Sequence, residues 1–225
     1  MMHQRISRKI IIYLFLFIIL GSVNNFKYIN SKLFKINLID ISVINNSDSV
    51  NLYERIKDYK KKNIFFLDSY EISEKIKSNN LIEKFWVFKK YPSTLKINLL
   101  KTNFLGITKI NNIDYLVGSN GKFIRKKEEY LINRPFIFGS FEANEFLKLK
   151  EILDKSNFDI SKMDSFYYFK SNRWDIKTGE NLTIRLPSDL NKNLLDKVYQ
   201  VINDKNFLNI KTIDLRQNNQ IIIYE

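Results

Sequence analysis

The strongest constraint on this chain lies at its start. Positions 10 to 23 carry no charged residue, and Ile10 through Leu20 is a run of isoleucine, leucine and phenylalanine with one tyrosine. Arg5, Arg8 and Lys9 precede the run, with no acid among them. So apolar a stretch is membrane-directed, and the positive-inside rule leaves the N-terminal tail in the cytoplasm and sends the rest across. Positions 10 to 23 fall short of the roughly 20 residues of a spanning helix and within the range of a signal-peptide core. Two readings follow, an uncleaved anchor and a cleaved signal. The anchor is favoured because Arg8 and Lys9 can snorkel and Asn24-Asn25-Phe26 can sit among headgroups. Gly21-Ser22 also lacks the small-x-small pattern of a cleavage site. The expected layout is a cytoplasmic tail over 1–9, a single transmembrane helix over 10–23 and a linker over 24–32. On either reading, residues beyond about 25 work outside the cytoplasm.

Composition then removes whole classes of function. With no cysteine, disulfide scaffolds, thiolate zinc sites, iron–sulfur clusters and cysteine nucleophiles are excluded. The single histidine is His3, in the tail, so no histidine triad or histidine-rich metal site can form in a folded domain. A Ser–Lys dyad, a carboxylate pair or an all-oxygen Mg²⁺ site survives. The net charge of +13 invites a nucleic-acid reading. Yet bases alternate with acids, as in Lys57-Asp58, Lys126-Lys127-Glu128-Glu129 and Asp154-Lys155, and form no stripe. A solvated lysine surface on a translocated domain fits better, and no nucleic-acid partner is expected.

Two folded units follow. The first runs from about Leu33 to Thr102. Leu33–Val43 alternates as a strand, and Ile44–Asp48 is a turn. Asp48 or Ser49 caps a helix carrying Leu52, Tyr53, Ile56 and Tyr59, which Lys60-Lys61-Lys62 closes. Ile64–Leu67 reads as a buried connector. Asp68 and Glu71 have capping-box spacing before a second helix with Ile72 and Ile76, ended by Ser78-Asn79-Asn80. Ile82–Lys90, a turn at Tyr91-Pro92-Ser93, and the alternating Leu95, Ile97 and Leu99 complete a strand–helix–helix–strand–strand unit.

The second unit runs from Asn103 to Glu225. It opens with hairpins turning at Asn111-Asn112 and at Asn120-Gly121. A helix over Glu142–Lys155 buries Phe146, Leu149, Ile152 and Leu153. Strands follow at Ser165–Lys170, Arg173–Lys177 and Asn181–Leu186. Pro187-Ser188-Asp189 then caps a helix with Leu190, Leu194, Leu195, Val198, Val201 and Ile202. The chain closes with Thr212–Arg216, a turn at Gln217-Asn218-Asn219, and Gln220–Tyr224. The fold class is α+β, with a mainly antiparallel β domain flanked by helices after the smaller module.

These residues resemble the bacterial FtsQ/DivIB cell-division family. Asn63-Ile64-Phe65-Phe66-Leu67-Asp68 and Lys90-Tyr91-Pro92-Ser93-Thr94-Leu95-Lys96-Ile97 match the connector and final strands of the family's POTRA domain. Arg173-Trp174-Asp175-Ile176, Leu182-Thr183-Ile184-Arg185-Leu186-Pro187 and Ile213-Asp214-Leu215-Arg216 follow, in order, the pattern of its β domain. Lys101-Thr102-Asn103-Phe104, Gly118 and Gln217 depart from it. The resemblance implies a POTRA-like domain over 33–102 and an FtsQ-type β domain over 103–225. It also implies a divisome scaffold, with no reaction and no cofactor, that binds FtsB- and FtsL-like proteins from the periplasmic side of the inner membrane.

Strand addition at an open C-terminal edge is the expected mode. The candidate contact residues are Arg216, Gln220, Ile221, Ile222, Ile223 and Tyr224, with Arg216 placed to meet a partner carboxylate. Each has a plainer reading. Three consecutive isoleucines more often form a buried core strand, and an arginine after a strand is more often solvated or structural. Trp86 and Trp174 read as core or part-buried platform residues. Two other functions fit parts of the sequence. One is a POTRA-bearing assembly or secretion factor. The other is a periplasmic hydrolase using carboxylates such as Asp164 and Asp175.

Overall fold

The computed structural model describes residues 8–23, 34–43, 52–127, 133–204, 210–217 and 220–225. The proposed turn over Ile44–Asp48, the cap at Asp48 or Ser49, the 24–32 linker and the Asn218-Asn219 part of the last turn lie outside them. Helix α1 spans Arg8–Val23, about 24 Å at 1.5 Å per residue. Among the described residues, no helix is long and apolar enough to cross a membrane.

Beyond α1 the chain forms two compact units. The first contains β1 (Leu38–Val43), α2 (Tyr53–Ile56) with a 3₁₀ turn over Lys57–Tyr59, α3 (Ser69–Lys77), β2 (Ile82–Lys90) and β3 (Thr94–Lys101). Its sheet order is β1-β3-β2, with β1 parallel to β3. Alternation along β3 buries Leu95, Ile97 and Leu99 completely, along with Ile56, Tyr59, Ile72 and Ile76 of the helices. Period-two and period-3.6 apolar patterns thus meet in one core. The Asp68 carboxylate accepts from the Tyr70 amide at 2.8 Å and starts α3. The Ile64–Leu67 connector is only half buried. Ile64 and Leu67 turn in, whereas Phe65 and Phe66 stand in solvent. Trp86 is likewise no core residue, being 43% exposed on β2. The Tyr91–Pro92 bond is cis.

The second unit is built on a nine-stranded sheet of order β12-β11-β10-β9-β8-β7-β4-β5-β6. The strands are β4 (Phe104–Ile110), β5 (Ile113–Gly118), β6 (Phe123–Arg125), β7 (Phe136–Phe138), β8 (Met163–Phe169), β9 (Arg173–Thr178), β10 (Thr183–Arg185), β11 (Thr212–Asp214) and β12 (Ile222–Tyr224). Helices α4 (Ala143–Asp154) and α5 (Lys192–Ile202) cover one face. Asn111 and Asn112 both have positive φ, so the β4–β5 hairpin closes through the turn that this pair favours. The sheet is mixed. Five neighbouring pairs run antiparallel, and β4–β7, β7–β8 and β10–β11 run parallel. β7, absent from the sequence reading, is the link that joins the N-terminal hairpins to the rest. Gly139 ends it at φ +108, where a side chain would strike the Tyr168 carbonyl.

The core of this unit follows one row across the strands. Ile137, Phe166, Ile176, Ile184 and Ile213 are in register and fully buried. Phe146 of α4 meets Phe166 and Trp174 edge-on at 5.1 and 5.8 Å. Helix α5 starts later than its sequence signals indicate. Asn191, not Pro187-Ser188-Asp189, is its cap, accepting from the Leu194 amide at 3.0 Å. Leu190 packs on the core before the helix begins.

Candidate partner-binding edge

The C-terminal edge of the large sheet is built from three-residue strands. β11 pairs parallel with β10 and antiparallel with β12, and among the described residues β12 has no neighbour on its outer side. The direction of the free backbone groups follows from the inner ladder. The Thr183 amide donates to Lys211, and the Leu215 amide donates to Arg185, both at 2.9 Å. Ile213, between them, therefore bonds toward β10, and Thr212 and Asp214 bond toward β12; at the start of β11 the Lys211 amide also donates to the Tyr224 carbonyl at 2.9 Å. Ile222 and Tyr224 are consumed by that pairing. The N–H and C=O of Ile223 point away from the sheet.

Side chains alternate with this backbone. Ile223, half-buried, stands in register beyond Ile213 and Ile184, and Ile221 packs against the core. Ile222, opposite Asp214, and the exposed Tyr224 occupy the other face. Gln220 is exposed beside a cleft of about 420 Å³ lined by Pro187, Asn191, Leu194, Leu215, Gln220 and Ile221.

Arg216 is held in place from within. Its Nε donates to both Asp214 oxygens at 2.8 and 2.9 Å, its Nη2 donates to Asp214 Oδ2, and its amide donates to Oδ1 at 3.1 Å. Arg185, in register with Asp214, brings Nη1 within 3.5 Å of the same carboxylate. The side chain of Asp214 is 4% exposed, against 39% for each arginine. Hydrogen bonding from Arg216 holds the Asp214 carboxyl at about 2 despite burial, and the same bond raises the Arg216 guanidinium above its ordinary value. One buried acid thus fixes two exposed arginines side by side next to β12. Asp175, in register with Arg185, has the opposite character. Burial raises its pKa, against the pull of Arg173, Arg185 and Arg216, and its Oδ1 is buried with no hydrogen-bond partner among the described residues.

Sequence reasoning singled out Arg216 and the terminal strand as candidates but did not join Arg185 and Asp214 to them as a unit. Both occupy the polar positions of short alternating segments, and only the parallel β10–β11 register brings them together. The Asp164/Asp175 pair is not assembled. Asp175 lies opposite Tyr167, whereas Asp164 is solvent-exposed at a bulge, roughly 10 Å farther along β8. Among the described residues no cluster of acids or histidines could hold a metal. Among the described strands the large sheet ends at β12 on one side and β6 on the other.

A small three-stranded module with two helices, followed by a large edge-open sheet, defines a POTRA-plus-β-domain protein. Residues 34–101 match the family model of the POTRA domain, FtsQ-type, and residues 107–216 match that of Cell division protein FtsQ/DivIB, C-terminal. The chain is 28% identical over 193 residues to Cell division protein FtsQ of Rickettsia bellii (strain RML369-C), covering 84% of this chain and 72% of the relative. It is 27% identical over 212 residues to the FtsQ of Rickettsia typhi (strain ATCC VR-144 / Wilmington), covering 89% and 77%. Cell division protein DivIB of Clostridium botulinum (strain Hall / ATCC 3502 / NCTC 13319 / Type A) is 27% identical over 148 residues, covering 64% and 54%. The chain belongs to the FtsQ/DivIB family of cell division proteins.

Proposed function

We propose that this chain is a non-enzymatic scaffold of the divisome, bound to the inner membrane by α1 with its N-terminus in the cytoplasm and its two folded units in the periplasm. It docks FtsB- and FtsL-like proteins and couples early division proteins to septal wall synthesis. The observation that carries this reading is the outer edge of β12, unpaired among the described residues, beside the Arg185/Arg216 pair. An extended partner segment adds as a further strand, bonding to the N–H and C=O of Ile223. A carboxylate on that segment meets the exposed arginine faces, whose orientation Asp214 has already fixed. No small-molecule substrate and no cofactor are needed.

The test is capture of the organism's own FtsB-like and FtsL-like proteins by the full chain in detergent. Ile223→Pro removes the outward donor, and Ile222→Ala is the control because its backbone faces β11. Circular dichroism checks that both variants are folded. Loss of capture with folded Ile223→Pro alone is the expected result. Equal capture by wild type and both variants would move the docking site off this edge. No capture by folded wild type would contradict the scaffold reading itself.

A further inference from the structure

One surface of the first unit is apolar, basic and unused by the edge described above. Three backbone pairings gather it. The Ile64 amide donates to Phe34 at 2.9 Å, the Ile36 amide to Lys62 at 3.0 Å, and the Asn37 amide to Ser93 at 2.9 Å. These bonds bring the chain entry, the Lys60–Leu67 connector and the Pro92 turn to one pole of the unit. Phe34 meets Phe65 edge-on at 5.0 Å, and Phe65 stacks on Tyr91 at 4.8 Å. Yet Phe65, Tyr91 and the adjacent Phe66 remain 51%, 59% and 71% exposed.

Cations frame these rings. Lys61 and Lys90, close to them in sequence, are exposed, as is Lys62, whose Nζ pairs with Glu71 at 3.8 Å and lies 4.7 Å over the Tyr59 ring. The neighbouring acids are already engaged. Asp68 caps α3, and Glu71 pairs with Lys62 at 3.8 Å and Lys75 at 3.6 Å. Exposed aromatics ringed by lysines suit a bilayer interface, where rings sit at headgroup depth and cations meet anionic lipid. The covalent chain supplies the proximity. Phe34 follows Val23 by eleven residues, a reach of at most about 40 Å from the end of α1 even when fully extended.

We infer that the Phe65/Phe66/Tyr91 pole, with Lys61, Lys62 and Lys90, is a lipid-contact patch that rests on anionic headgroups of the bilayer to which α1 is anchored. The inference rests on the anchor reading above. Tethering makes weak lipid contacts sufficient, because the effective concentration of the surface is set by the short connection. Contact of this kind limits the orientations open to the first unit relative to the bilayer.

The absence of native cysteine makes the test direct. The full chain is reconstituted in phosphatidylcholine/phosphatidylglycerol vesicles with an environment-sensitive fluorophore on Ser69→Cys, beside the patch, or on Glu180→Cys, in an exposed turn of the second unit. Spin-labelled lipid is the quencher, and an alkaline carbonate wash tests the anchor separately. The expected result is stronger quenching at 69 than at 180 in a chain that survives the wash. Reversing Lys61, Lys62 and Lys90 to glutamate should reduce the docked population by on the order of tenfold or more, and Phe66→Ser should reduce it alone. Equal quenching at 69 and 180 in a wash-resistant chain overturns the patch and leaves the anchor. A label at 69 shielded only when partner protein is added reassigns the patch to protein and overturns the inference. Release of the chain by the wash overturns the anchor and the patch with it.

Discussion

The two sheets solve the same problem with different means. In the first unit, β2 and β3 are eight or more residues long, and strict alternation places three β3 side chains in a closed core. In the second, β10, β11 and β12 have three residues each. Such short strands carry few ladder bonds. They are held by the buried Ile184/Ile213 row under α5 and by the Asp214 clamp on Arg185 and Arg216. The difference teaches where recognition can be built. β3, paired on both sides by β1 and β2, has little left to offer, whereas a short edge strand clamped from one side leaves its outer backbone groups available.

The two tryptophans give the sharpest way to break this comparison. Trp174 packs against Phe141, Phe146 and Tyr168 in the large core, so Trp174→Ala should cost about 3–5 kcal/mol in chemical denaturation. Trp86→Ala, on the exposed side of β2, should change stability by about 1 kcal/mol or less. Comparable losses at both positions would dissolve the distinction between a closed core and an open face.

The two aspartates sharpen the same contrast at the edge. Asp214→Asn removes the clamp and should cost about 2 kcal/mol at neutral pH, because the carboxyl sits about two units below its ordinary value. A depressed carboxylate contributes stability that is fully present above its unfolded pKa. That contribution is therefore lost as pH falls from about 4 through about 2, and an acid titration of wild type against Asp214→Asn should converge there. Asp175 has the opposite sign. Its raised pKa means that its ionised form opposes folding at neutral pH, and the opposition is relieved on acidification. Asp175→Asn should therefore be neutral or stabilising by up to about 1 kcal/mol.

The smallest effect expected is at Phe66, where Phe66→Ser should leave unfolding within about 0.5 kcal/mol of wild type because the ring is already in water. A larger loss would mean that this ring packs on the fold.

Much of the fold was legible because its signals are local. The β3 alternation, the Asp68 cap, the Asn111-Asn112 turn and the Phe146/Leu149/Leu153 stripe each lie within one or two turns of chain. β7 was invisible for the same reason, since Phe136-Ile137-Phe138 is too short to display a period and gains its strand character from neighbours on both sides. The edge was half legible. Its isoleucines and Arg216 stand out in the sequence, but which amide faces outward and which acid orients the arginines depend on the β10–β11–β12 registers.

The most direct test of the docking edge is amide hydrogen exchange on the full chain with and without its FtsB- and FtsL-like partners. The Ile222 amide is already bonded to β11 and should change little. Exchange at the Ile223 amide should slow markedly on binding, and Arg216→Ala should weaken that protection. Unchanged exchange at Ile223 in a complex that protects amides elsewhere would contradict strand addition at this edge.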